Sequence, residues 1–178
     1  MKKIITALLA VILVVGIAVT AVALVYKNAE ETAGSTASAV VDRVNFTFAP
    51  TQQRFTLGES ENGYVAEVLF TAEKTEPDFY AVLHGLTVSG INSVRTEIAP
   101  AADSPLNVPL AEAILPVVDG KPAALQWKIL IYFTAGGSGT FSPEITVDFT
   151  SGVKKEAADR HLYTVPLTFI VSEPDNAE

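Results

Sequence analysis

"LQWKILIYFT", residues 125–134, decides the fold. Leu125, Trp127, Ile129, Ile131 and Phe133 recur at every second position, and a β-strand turns successive side chains to opposite faces. This row therefore predicts a strand with one buried face. Leu130 and Tyr132 partly fill the other face, which predicts a central strand covered on both sides.

The same period extends in both directions. "RVNFTF" sets Val44, Phe46 and Phe48 against Arg43, Asn45 and Thr47, and "YVAEVLFTA" sets Tyr64, Ala66, Val68 and Phe70 against Val65, Glu67, Leu69 and Thr71. "FYAVLHGLTV" and the weaker "SVRTEI" follow. "PEITVDFT" turns Ile145, Val147 and Phe149 inward, and "LYTVPLTFIV", residues 162–171, closes the series. Pro166 lacks an N–H for a ladder hydrogen bond, which places that last strand at an edge. Asn62-Gly63, Asp119-Gly120, "GGSG" at 136–139 and Ser151-Gly152 read as turns, since glycine and asparagine accept positive φ. "PLAEAIL" and "VKKEAADRH" read as helical turns too short to alter the class. The prediction is an all-β, antiparallel β-sandwich of immunoglobulin-like type with about seven or eight strands.

The chain begins differently. Ile4 to Val25 is an uncharged apolar run, and at about 1.5 Å per helical residue it spans roughly 33 Å, enough for a hydrocarbon layer of about 30 Å. Lys2 and Lys3 precede it and orient the following chain away from the cytoplasm. Residues 1–27 are thus an N-terminal transmembrane anchor or signal helix. Retention is favoured, because the run exceeds the length of an ordinary signal core and no polar segment prepares the small-x-small site Ala21-Val22-Ala23. Residues 28–40, built from small and acidic side chains, read as a flexible linker; residues 41–172 form the sandwich domain and 173–178 a polar tail.

Composition narrows the function classes. The formal net charge is −8, and beyond the apolar run 20 acidic residues face 10 basic ones, which argues against nucleic acid. Lys154, Lys155 and Arg160 are the one local basic cluster and read as a solvated loop. There is no cysteine, which excludes disulfides, thiolate metal sites, a cysteine nucleophile and a lipidated cysteine.

Candidate chemistry is sparse. Ser151 and Lys154 match the S-x-x-K spacing of serine acyl enzymes but lack its companion motifs, and "AGGSGT" has Thr140 where a nucleophile elbow needs glycine. His84 and His161 are the two histidines; His161 stands near Asp159, but two imidazoles make a poor metal centre. Glu59 with Glu61, and Glu76 with Asp78, lack the spaced ligands of a calcium loop. Asn45-Phe46-Thr47 is a formal glycosylation sequon inside a strand, and Trp127 shares the core phase of its neighbours. No catalytic, cofactor-binding or metal residue is assigned. The expectation is a non-enzymatic, membrane-anchored extracytoplasmic domain for protein interaction or envelope structure, held in the membrane through residues 4–25. The alternative is a secreted subunit that assembles through strand edges after signal cleavage.

Overall fold

The computed structural model describes residues 27–28, 31–33, 35–58, 63–104 and 106–174. The expected membrane helix and the end of the polar tail lie outside these residues. In chain order the strands are β1 (Lys27–Asn28), β2 (Glu31–Ala33), β3 (Ala37–Val41), β4 (Val44–Ala49), β5 (Gln52–Thr56), β6 (Tyr64–Lys74), β7 (Tyr80–Ser89) and β8 (Ser93–Pro100). After them come the short β9 (Ala113–Ile114), β10 (Val117–Val118) and β11 (Lys121–Pro122), then β12 (Leu125–Phe133) and β13 (Gly139–Phe141). β14 (Glu144–Gly152), β15 (Ala158–Pro166) and β16 (Thr168–Ser172) complete the set, with one 3₁₀ turn at Lys155–Ala157.

β3, β4, β6, β12 and β8 pair in that order, with β1 added to the free stretch of β6. A second sheet runs β15, β14, β7, β9, and a third runs β13, β16, β5, β2. The apolar face of the first sheet packs on both of the others. Phe46 meets Phe149 edge-on at 4.9 Å and stacks on Tyr163 at 5.4 Å; Phe133 lies 5.1 Å from both Phe55 and Phe169. Trp127, Ile129, Ile131, Val68 and Phe70 are fully buried in this core, as their alternation requires. The Trp127 indole N–H donates to Val108 O at 2.8 Å, which satisfies its polar edge.

β12 is central, between β6 and β8, but among the described residues its second face carries no packed layer. There Lys128 pairs with Glu67 at 2.8 Å, and the Arg95 guanidinium lies 4.0 Å over the Tyr132 ring. Leu130 is half-buried among such neighbours, which is why it resembles core material in sequence.

Among the described residues ten strands reach five residues or more, against the seven or eight expected. Three differences account for the excess. β3 occupies the expected linker and pairs along its whole length with β4 through Asp42 and Arg43, whose φ values of 47° and 64° form a tight turn without glycine. β5 escaped the period because its buried row holds Gln53 beside Phe55. The stretch 162–171 is two strands, divided at Pro166-Leu167. β15 is an edge strand, as Pro166 implied, whereas β16 crosses to the third sheet between β13 and β5. Its pairing with β5 is parallel, as is that of β1 with β6, so the fold is mainly rather than wholly antiparallel.

Two local readings change. Ser151 and Gly152 continue β14 instead of turning, and the connection to β15 is made by residues 153–157. Within "PLAEAIL", Ala113 and Ile114 form β9 beside β7.

Gln53 repairs a gap in the main sheet. β4 covers β6 down to Leu69 and β1 covers Tyr64 and Val65, so the backbone of Glu67 faces neither. The buried Gln53 side chain fills the space: its Nε2 donates to Glu67 O at 3.0 Å, and Glu67 N–H donates to Oε1 at 3.1 Å. A side-chain amide thus imitates one rung of the ladder.

Candidate functional site

β7 departs from a regular ladder in its middle. Asp148 pairs with Gly85 and Phe149 with Leu83, so His84 is an extra residue on β7. This bulge shifts the side-chain phase: Leu83 lies inward before it, and Leu86 and Val88 pack on the core after it. The slip was readable in sequence as apolar residues at 81, 83, 86 and 88 around a Gly, a pattern that strict alternation cannot produce.

The bulge directs His84 onto the outer face of the second sheet. Its Nδ1 lies 2.9 Å from Glu112 Oε1 and its Nε2 lies 2.7 Å from Thr150 Oγ1. A carboxylate only accepts, so Nδ1 carries the hydrogen in this pairing, and the Thr150 hydroxyl, which both donates and accepts, completes the bond at Nε2. Glu112 is itself unusual, a non-glycine residue with φ of 59° in the turn before β9. Two uncommon backbone conformations therefore bring these side chains together.

Beside them Arg160 on β15 grips Asp148 on β14 through Nε at 2.8 Å and through a second, shorter contact from its terminal nitrogen. The hydrogen bond from Arg160 holds the Asp148 carboxyl below its ordinary pKa, against the opposing effect of burial. With Thr146, Leu86 and Leu162 these groups line an open groove of about 580 Å³. Leu162 is 69% exposed. The groove thus combines internally paired charges with an uncovered apolar side chain.

The other histidine joins a different cluster. The His161 ring faces Asp42 in the β3–β4 turn rather than Asp159. Its Nε2 lies 2.5 Å from Asp42 Oδ2, buried and out of line for a hydrogen bond. The Ser151 hydroxyl donates to the same oxygen at 3.4 Å. Serine, histidine and aspartate therefore meet, but in an order unlike that of nucleophilic catalysis. The carboxylate stands between the hydroxyl and the imidazole, whereas activation needs the imidazole next to the hydroxyl. Ser151 is also 2% exposed. The cluster fastens the β3–β4 turn to the β14–β15 hairpin.

The remaining sequence candidates do not converge. Lys154 and Lys155 lie in the connection before β15, apart from Arg160 in its groove. Glu76 pairs with Arg43 at 3.4 Å, and Glu59 and Glu61 lie outside the described residues. Among the described residues no group of three or more His, Asp or Glu side chains is placed to hold a metal ion. Lys74, unremarked in sequence, is 7% exposed and donates from Nζ to Pro77 O and Phe79 O, both at 2.9 Å. Burial pushes its ammonium pKa down, and Asp78 opposes that shift.

No family model and no curated protein sequence matches this chain. Among solved structures it is similar to AggA, the major subunit of aggregative adherence fimbriae type I from Escherichia coli. That alignment has 11% identity and a TM-score of 0.39, and covers 80% of this chain and 100% of that one. It is also similar to the ASH/PapD-like domain 7 of human CEP192, at 12% identity and a TM-score of 0.38, over 82% of this chain and 96% of that one.

Proposed function

We propose that this chain is a non-enzymatic, immunoglobulin-like sandwich domain that is anchored in the membrane outside the cytoplasm and works by binding protein. The observation that carries the reading is the outer face of the second sheet. There the exposed Leu162 of an edge strand borders a groove whose polar groups are already paired, Arg160 with Asp148 and Glu112 with the His84 imidazole. Paired polar groups around an apolar centre suit a contact surface, where polar groups form the rim and an apolar side chain is covered. The apolar run at 4–25 supports retention in the membrane.

A photo-crosslinking residue at position 162 of the full chain, with position 69 on the other sheet as comparison, tests this in intact cells. The expected result is a discrete protein adduct from 162 that Arg160→Ala weakens. Equal labelling from both positions, or a turnover by the purified chain that Ser151→Ala abolishes, contradicts it.

A second reading rests on the same strand. Among the described residues β15 is paired on one side only, along its nine residues to β14, which suits a secreted subunit that assembles edge to edge. That reading expects filaments from chain cleaved after Ala23.

A further inference from the structure

We infer that the domain is mounted end-on and directly on the bilayer, with the Tyr64 end of β6 against the lipid surface. This rests on the anchored reading and adds an orientation to it. The apolar run ends at Val25, and two residues later Lys27 is already paired with Tyr64. A chain extends at most about 3.6 Å per residue, so two steps place Lys27 within roughly 7 Å of the end of the run. No length remains for a tether.

The directions of the first strands agree. β1 runs parallel to β6, with Lys27 beside Tyr64 and Asn28 beside Val65. β5 descends toward the Tyr64 end, because Gln53 contacts Glu67 while Leu57 and Tyr64 line one hollow. β2 is antiparallel to β5 and so ascends. β3 ends with Val41 opposite Val44, which pairs with Lys74. β1, β2 and β3 thus run in one sense and carry the chain from the Tyr64 level to the Lys74 level. Of the residues that composition marks as a spacer, 28, 31–33 and 37–40 are paired along the domain instead of lifting it.

The seated end contains Gly63, Thr134, Ala135 and Gly136 around a hollow of about 200 Å³. The opposite end carries the Asp42–Arg43 turn and the connection with Val153, which is 64% exposed, followed by Lys154 and Lys155. The ten steps from Tyr64 to Lys74 separate the ends by roughly 33 Å at about 3.3 Å per residue.

The chain has no native cysteine, so a single label reports one position. Full-length chain carrying Thr134→Cys or Val153→Cys, each with the same fluorophore, is placed in phosphatidylcholine vesicles with nitroxide-labelled headgroups. Over a separation of about 33 Å, contact quenching at 134 is expected to exceed that at 153 at least about fivefold. Ten Gly/Ser residues inserted between Tyr26 and Lys27 supply a flexible span of about 17 Å, and quenching at 134 is then expected to fall toward that at 153.

Chain that floats with the vesicles after an alkaline wash but quenches equally at both positions, or more at 153, overturns the mounting and leaves the anchor standing. Chain that fails to float overturns both. Ser138→Cys and Glu76→Cys form a second near and far pair, and buried Trp127 emission identifies folded samples.

Discussion

Replacing Gln53 by Met keeps the length and nearly the volume of the side chain while removing both hydrogen bonds to Glu67. Gln53 is 1% exposed, so water does not readily reach the groups left behind. A buried backbone donor or acceptor without a partner costs about 1–3 kcal/mol, so losing both partners predicts a loss of roughly 2–6 kcal/mol. A domain of this size has about 5–15 kcal/mol of total stability, and each kcal/mol moves its melting temperature by about 2–4 °C. The melting temperature is therefore expected to fall by roughly 4–24 °C. The assay is thermal unfolding of full-length chain in detergent, followed by emission of Trp127, the sole tryptophan and fully buried. Thr146→Val, which removes a 2.9 Å bond to Thr164 on the exposed face, is the comparison and is expected to change stability little. If Gln53→Met melts with the unaltered chain, the amide does not bridge the gap between β4 and β1, and the reasoning about the ladder fails.

Gly152→Ala should destabilise by about 1–3 kcal/mol, measured by urea unfolding. An added Cβ there meets Ala158 Cα at 2.5 Å and Ala157 O at 2.7 Å, backbone that cannot swing aside. Lys74→Met should cost about 1–3 kcal/mol and speed amide exchange around residues 75–79, because two carbonyls lose their shared donor. Arg160→Ala should raise the Asp148 pKa toward its ordinary 3.8 in a carbon-detected NMR titration. Since the folded pKa is depressed, the stabilisation Asp148 gives is complete above that ordinary value and is lost as pH falls through the lower folded one. Arg160→Ala should consequently lower stability at neutral pH, leave it unchanged below the folded Asp148 pKa, and so flatten the acid limb of the stability curve.

Where one physical constraint dominated a stretch, the sequence was readable. The long strands β6, β12 and β14 bury one full face, and burial imposes period two. Elsewhere a polar side chain did backbone work, and the pattern broke. Gln53 sits in a core row because it completes a ladder, and Asp42 takes positive φ where a sequence reader expects glycine. β3 alternates only between half-buried and exposed positions, so its small residues resemble a linker although the backbone is paired. The groove was the least legible part. His84 meets Glu112 across 28 residues and Thr150 across 66, and only the bulge in β7 brings those separations together. The bulge itself left a trace in the phase slip at His84-Gly85.

The central claim, a sandwich domain kept at the membrane by its own first residues, is tested most directly by membrane fractionation with N-terminal mapping of the mature chain. Retention predicts chain that resists an alkaline wash and still contains residues 4–25. A mature chain that begins at Leu24 and washes free would contradict it and move the secreted, edge-assembling subunit to first place.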